Sequence, residues 1–330
     1  MYIGIYMKYI ELKTHDPYLN LAIEEYIFEN AKEETFILWQ NNPCIVIGKN
    51  QNPYAEINIP LAKQRKIDVV RRITGGGAVY HDLGNLNYSF VSPTHKNGID
   101  FAYFTAPIIK ALKSIGVECT LSGRNDLVLS DGRKISGNAQ FSRGGRVLHH
   151  GTLLYNSNLD VLDELLSVDP EKLQSKAVRS ARARVSNIAE QLSSPMHISD
   201  FILSIKRSVT EDYLSSEETA PSNADIFALR ARNASSEWIY NDKDYLSVYS
   251  VIRKRRFDFG SVECHVLLKG NLISEIKIIG DFFEKSSVNQ LEAALRGMNV
   301  EELDLSSINV SNYILGMSNS EFISLIYDNN

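Results

Sequence analysis

The sequence predicts a two-part protein that mixes helix and strand and ends in a small α/β domain. Three observations carry that prediction. The chain has 330 residues, more than one compact core usually holds. Twelve of its nineteen glycines fall between Gly75 and Gly151, and none lies between Thr152 and Phe259. Glycine permits positive φ and close backbone approach. The first stretch therefore reads as strands, tight turns and ligand loops, and the second as mostly helix. Strand signals then return from Tyr249.

The elements follow in order. Asp16-Pro17 is an N-cap with proline at the first helical position. Leu19, Ala22, Ile23, Tyr26 and Ile27 repeat at helical spacing, so Pro17–Asn30 is an amphipathic helix. Thr35–Trp39 and Cys44–Ile47 are short apolar strands around the Asn41-Asn42-Pro43 turn, and Ile67–Arg71 is another. Leu86–Val91 alternates, with Leu86, Tyr88 and Phe90 on one face and Asn87 and Ser89 on the other. Ala102–Ile115 is a helix closed by Gly116. Asp126–Leu129 and Arg133–Ser136 flank the hairpin dipeptide Asp131-Gly132, and Val147–Tyr155 follows Gly144-Gly145. Helical patterns come next at Leu159–Leu166, the basic Lys176–Val185 and Ile198–Leu214. The polar stretch Ser215–Asp225 reads as a loop or linker. Ser261–Leu268 and Leu272–Ile279 are strands around Gly270-Asn271, followed by helices near Val288–Leu295 and Ser320–Tyr327. This places a large domain over residues 1–246 and a small one over 247–330.

Composition removes several function classes. A hydrophobic content of 44% with 23% charged residues excludes intrinsic disorder. No apolar run approaches the ~18 residues of a membrane span. Met1–Lys8 lacks the apolar core of a secretory signal, so a cytoplasmic protein is expected. With 35 basic and 40 acidic residues the net charge is −5, which argues against nucleic acid as the main partner. Cys44, Cys119 and Cys264 are far apart and form no CxxC. They build neither a disulfide framework nor a cysteine-based zinc site, and they fit a reducing cytosol.

Four segments carry chemistry. In Arg71–Asp82, three consecutive glycines follow an arginine pair. Bare main chain there can form an anion-binding concavity, and the arginines can clamp phosphate or carboxylate. No GK[ST] ends the loop, so it is not a P-loop. The second segment joins Gly123-Arg124-Asn125-Asp126 to a hairpin bearing Lys134 and Ser136 on one side of a strand, next to Gly137. Most strand lysines are simply solvated. The third is His149-His150-Gly151-Thr152. Adjacent strand residues face opposite ways, so the pair is poorly placed to share zinc. One histidine is expected at the site and the other in a structural role. The fourth holds Lys176, Arg179, Arg182, Arg184 and Asn187, which alone would pass for a solvated helix face.

Taken together, these segments resemble the lipoate–protein ligase A family. RRITGGGAVYHDLGN, GRNDL, KISGNAQ, HHGTLL and SARARVSN stand in that family's order and spacing. NLAIEE (Asn20–Glu25) and ILWQNNPCIVIGKNQN (Ile37–Asn52) fit its start, and Phe257–Ile278 resembles its small C-terminal domain. The resemblance implies an α+β fold, with a mixed-sheet catalytic domain of the biotin/lipoate ligase type, related to class II tRNA synthetases. It implies activation of lipoate by ATP, with Mg2+, to lipoyl-AMP. The lipoyl group then passes to a lysine on apo lipoyl domains of 2-oxoacid dehydrogenase E2 subunits or on the glycine-cleavage H protein. An apolar pocket separates chain lengths weakly, by ~1–3 kcal/mol per methylene, so octanoate is a second candidate substrate.

The match also implies roles for residues. Lys134 is the catalytic cation, contacting the lipoyl carboxyl and the α-phosphate. Arg72, Gly77, Ala78, Val79, Tyr80, Asn125, Asp126, Arg182 and Arg184 belong to the nucleotide or adenylate site. Trp39, Thr74, Gly75, Gly76, Gly77, His81, Ala139, His149 and Gly151 join Lys134 in the lipoate site. Asp126 is a candidate magnesium ligand on chemical grounds alone. Ser175–Asn187 matches the adenylate-binding loop, expected to order over the intermediate. Ala177 departs from the pattern, standing where glycine is frequent, and Arg179 is an extra charge.

Two rivals stand beside this reading. An acyltransferase of the same superfamily uses a cysteine thiolate and no ATP, but no cysteine lies between Cys119 and Cys264, and Cys44 sits in an apolar strand. A non-catalytic lipoate-binding module would not need Lys134 or the arginine-rich loop.

Overall fold

The computed structural model describes residues 6–166, 184–241 and 247–327. The expected helix Lys176–Val185 lies largely outside them, as does the expected domain boundary at 246.

The larger part is built on a mixed eight-stranded sheet. Its strands are β1 (Tyr6–Glu11), β2 (Glu34–Trp39), β6 (Asn85–Ser92), β7 (Thr120–Ser122), β8 (Asp126–Val128), β9 (Lys134–Arg143), β10 (Arg146–Leu154) and β11 (Leu214–Glu218). They run in the order β11-β1-β2-β6-β10-β9-β8-β7. β1 is parallel to both β11 and β2, and the remaining neighbours are antiparallel. A second sheet, β4-β3-β5, comprises β3 (Cys44–Ile47), β4 (Asp68–Arg71) and β5 (Val79–His81).

Helix α1 (Pro17–Asn30) matches its sequence signature, with Asp16 capping the amides of Tyr18 and Leu19. The short helices α3 (Ile59–Gln64) and α5 (Leu162–Leu165) border the second sheet, and α2 (Pro53–Glu56) precedes them in the chain. α4 (Phe101–Ser114) ends at Gly116, whose φ is +85°. α6 (Ile198–Thr210) packs with α4 on one face of the large sheet, burying Phe104, Ile108, Phe201 and Ile205 against Phe36, Leu38, Tyr88 and Phe90. The other face buries Ile37, Trp39, Val91 and Leu148 against α1 and the second sheet. α7 (Ala224–Asn233) lies along α1, and α8 (Ser236–Tyr240) follows it.

Ser215–Asp225 is not all linker. Leu214–Glu218 is an edge strand paired parallel to β1. Its side chains are largely exposed, so its pairing rests on backbone bonds and leaves no apolar alternation to read. α7 then begins at Ala224. The alternation of β6 is present, but both faces are buried, so its polar side faces protein interior and not water.

The C-terminal part is an antiparallel sheet of β12 (Val251–Phe257), β13 (Gly260–Lys269) and β14 (Leu272–Gly280). α9 (Val288–Leu295) and α10 (Asn319–Tyr327) close a core with Val262, Ile276 and Ile278. It meets the larger part backbone to backbone. The Gly76 amide donates to the Phe282 carbonyl (3.2 Å), and the Gly280 amide to the Asn50 carbonyl (2.8 Å). A Cβ on Gly75 would fall 2.2 Å from the Phe282 oxygen, so glycine is required for this approach. Lys49 Nζ and Glu284 Oε2 add an ion pair at 2.6 Å. Among the described residues, no helix is long and apolar enough to cross a membrane.

Candidate active site

β2, β6, β9 and β10 turn one face toward the second sheet, and the glycine-rich loop crosses over it. Between them lies a cavity of about 220 Å³. Leu21, Trp39, Val46 and Ala139 give it apolar walls, while Asn87, His81 and His150 supply polar atoms. An outer cavity of about 640 Å³ adjoins it, lined in part by Tyr80, Arg133 and Arg184. Ala78, Val79, Arg124, Asp126, Lys134 and Thr152 line both.

Lys134 opens β9 at this shared wall. Its ammonium pairs with Asp126 on β8 at 2.8 Å. Gly137 makes room for it, because a Cβ there would fall 2.6 Å from Lys134 Nζ. The Ser186 amide donates to the Lys134 carbonyl (2.9 Å), and Val185 bridges the same residue, so the end of the expected adenylate loop docks on β9.

The arginine pair does not form the expected anion clamp. Arg71 donates to the carbonyls of Gly48, Lys49, Gln51, Trp238 and Ile239. Arg72 donates to Thr74 Oγ1 (2.9 Å) and to the carbonyls of Val46, Gly75 and Gly77. Burial lowers its pKa to about 10. Both are buried in a fold whose main-chain oxygens need donors, so they shape the loop instead of reaching out from it. Gly76, at φ +91°, takes a conformation that side chains disfavour, and a Cβ on Gly77 would meet open space.

Two histidines need distinguishing. His149 faces the opposite side of the sheet, where its ring stacks on Phe104 at 5.3 Å and accepts from Gln140 (2.7 Å). Burial holds its pKa well below the usual range. It is therefore His150, and not the expected His149, that lines the inner cavity, sharing the inward parity of Thr152 on β10. His150 Nε2 meets Thr74 Oγ1 at 2.8 Å. Its Nδ1 lies 2.9 and 3.0 Å from the carboxylate oxygens of Glu24, which accept that proton. Ser89 Oγ also donates to Glu24 (2.5 Å) and accepts from Trp39 Nε1 (3.0 Å). One buried carboxylate on α1 thus holds two of the three rings that line the cavity, His150 directly and Trp39 through Ser89. His81 accepts from Asn41 at Nδ1 (3.2 Å), which leaves its proton on Nε2, a buried atom with no protein partner among the described residues. Burial, then Arg72 and His150, lower its pKa to about 3.

Of the residues expected at the lipoate site, Trp39, Gly76, Gly77, His81, Lys134, Ala139 and Gly151 line the inner cavity. Thr74 does not. It is buried behind His150. Gly75 lies against Phe282. The expected nucleotide residues Arg72, Ala78, Val79, Asn125 and Asp126 also border the inner cavity, and Tyr80 and Arg184 the outer one. Arg182 lies outside the described residues. Sequence reasoning gave no role to Glu24, Asn87, Ser89, Arg124 or Asp281. Asn87 and Ser89 had a signal, as polar residues alternating on an otherwise apolar strand. Asp281 had none, because only tertiary packing brings it here.

All three thiols are buried and free. Burial raises their pKa values, that of Cys119 to about 11 and those of Cys44 and Cys264 further. None resembles a thiolate nucleophile, which needs a lowered pKa. Among the described residues, no three His, Cys, Asp or Glu side chains come together to hold a metal ion.

An α+β fold with two adjoining cavities that share a fixed lysine on their common wall suits a ligase that joins an acid to a nucleotide. Residues 16–210 match the lipoyl protein ligase A/B catalytic domain, and residues 247–326 match the bacterial lipoate protein ligase C-terminus. The chain belongs to the lipoyl protein ligase A/B family. It is 38% identical over 326 residues to the lipoate-protein ligase LplJ of Bacillus subtilis, covering 95% of this chain and 97% of that one. Its fold is similar to that of LipL1 of P. falciparum in complex with lipoate, with a TM-score of 0.76, 23% identity, and 90% and 95% of the two chains covered. It is also similar to a chain from the Thermoplasma acidophilum lipoylation system, described as a bi-partite lipoate protein ligase and its E2 lipoyl domain. There the TM-score is 0.64 at 26% identity, covering 72% of this chain and 97% of that one.

Proposed function

We propose that the chain joins lipoate to protein lysines in two ATP-dependent steps, with a catalytic part over residues 1–246 and an accessory part over 247–330. The observation that carries this is the position of Lys134 on the wall common to both cavities. Burying ~8 lipoate carbons at ~0.8 kcal/mol each is worth roughly 6 kcal/mol before costs, which suits the inner cavity. The carboxylate would then stop at Lys134, and the triphosphate would occupy the outer space.

Bonding a carboxylate oxygen to the α-phosphorus forces two anions together. A fixed ammonium at that junction lowers the barrier by ~3–4 kcal/mol, or ~10²–10³ in rate. Pyrophosphate leaves, and lipoyl-AMP remains shielded from water. A lysine amine of the acceptor then attacks the acyl carbon, a proton is lost and AMP departs. No covalent enzyme intermediate is needed. The raised pKa values of the three thiols favour this route over cysteine-based acyl transfer.

Magnesium accompanies the nucleotide in this reading. Mg2+ takes one or two carboxylates plus phosphate oxygens and not an all-protein cage, and Asp126, with Asn125 beside it, fits that donor set. The ion would neutralise charge on the departing phosphates. The acceptors are apo lipoyl domains of E2 subunits and the H protein, with octanoate as an alternative acyl group. Three unpaired thiols support a cytoplasmic setting. The test is lipoate-dependent pyrophosphate release with ATP and Mg2+, followed by lipoylation of purified apo H protein and each E2 lipoyl domain. Acyl transfer from a carrier protein without ATP would overturn it.

A further inference from the structure

We propose that Arg124 is the second cation of the site and holds the pyrophosphate as it leaves. This rests on the ligase reading above. Arg124 lines both cavities, yet its guanidinium is uncommitted. Its Nε has a long contact to Asn125 Oδ1 at 3.5 Å, and its Nη1 is buried with no protein partner among the described residues. One face of the guanidinium lies over the Phe283 ring, 4.6 Å from the centroid. A Cβ on Gly260 would come within 2.9 Å of Nη1, so the side chain is also held from the C-terminal part.

The neighbouring cations differ. Arg71 and Arg72 donate to main-chain carbonyls, Arg133 pairs with Asp131, and Lys134 pairs with Asp126. A guanidinium nitrogen buried without an acceptor, as Nη1 is, is costly, and proteins rarely keep one unless something else supplies the acceptor. Its planar fork suits phosphate oxygens.

The first half-reaction supplies such a ligand. As the carboxylate oxygen bonds to the α-phosphorus, the bond from that phosphorus to the bridging oxygen breaks. The electron pair departs on pyrophosphate, with no proton required. Lys134, engaged between carboxylate and α-phosphate, leaves that growing charge to another cation. Arg124 borders the same wall and has free donors. The second half-reaction contains no pyrophosphate, so Arg124 should matter to one step and not the other.

Two assays separate these steps. One is lipoate-dependent ATP–pyrophosphate exchange at varied pyrophosphate. The other is transfer from supplied lipoyl-AMP to an apo lipoyl domain. Arg124→Met keeps the apolar stem on Phe283 and removes the charge. It should raise KM for pyrophosphate at least ~10-fold and slow exchange ~10²-fold, while transfer from lipoyl-AMP stays within about twofold of wild type. Arg124→Lys should restore part of the exchange, and it carries the same KM test if the methionine variant does not fold. An unchanged KM for pyrophosphate, or equal losses in both assays, overturns the proposal. Wild-type protein without any exchange would overturn the ligase reading, and this inference with it.

Discussion

Gly137→Ala tests the placement of Lys134 with the smallest available change. The new Cβ would sit 2.6 Å from Lys134 Nζ and 2.8 Å from its Cε. Ordinary contacts need ~3.5–4.0 Å, so the ammonium must withdraw by about 1 Å. The atoms that move are the far end of a flexible side chain, so the fold has little to resist. Gly137 is not among the positive-φ glycines, so alanine suits its backbone. Inside a strand that exchange is neutral or gains up to ~1 kcal/mol. A displacement of ~1 Å at a reacting centre costs ~10²-fold, equivalent to ~2.7 kcal/mol of barrier. The variant should therefore melt at or slightly above the wild-type temperature and form lipoyl-AMP ~10²-fold more slowly in a single turnover. A rate within ~3-fold of wild type, less than ~0.7 kcal/mol, would show that Lys134 does not act from this position. A large fall in melting temperature would show that Gly137 serves the fold instead.

Lys134→Met should lower the rate of lipoyl-AMP formation ~10²–10³-fold with the far-UV spectrum unchanged, and near-normal turnover would refute its role. Glu24→Ala leaves the Ser89 hydroxyl and the His150 Nδ1 proton without their acceptor, at ~1–3 kcal/mol per group. Urea unfolding should show a loss of ~2 kcal/mol or more, and a loss below ~0.5 kcal/mol would remove Glu24 as the anchor of that network. His81 is protonated more readily in the unfolded chain than in the fold, where its pKa is about 3. Its contribution is complete above the unfolded value of ~6.5 and declines by up to ~1.4 kcal/mol per pH unit down to the folded one. His81→Gln should flatten the stability difference between pH 7 and pH 5, and an unaltered slope contradicts the assignment. Iodoacetamide should label no cysteine until the protein unfolds; rapid native labelling of Cys44 would reopen the thiol route.

Much of this architecture is legible in the sequence because local signals agree with it. The Asp16-Pro17 cap, the Gly116 stop, and the Asp131-Gly132 and Gly144-Gly145 turns each name a boundary that the fold respects. Lys134 stands out by its motif, but its contact with Gly137 does not, because residues three apart on a strand fall on opposite faces and only the irregular β8–β9 pairing brings these two together. The Leu214–Glu218 strand is not legible, because an exposed edge needs no apolar pattern. The arginine pair misleads for a related reason. A guanidinium serves phosphate and carbonyl equally well, and only burial reveals which it has. His149 and His150 are chemically identical in sequence. Their separation depends on strand parity and on α1 bringing Glu24 beneath one of them.

The seam between the larger part and the C-terminal part carries a message about divergence. Its bonds from Gly76 to Phe282 and from Gly280 to Asn50 run from amide to carbonyl. Such bonds are indifferent to side-chain identity, because every residue but proline offers both groups. The two halves can therefore drift apart in composition across lineages and still dock in one register, provided the crowded positions stay bare of side chains.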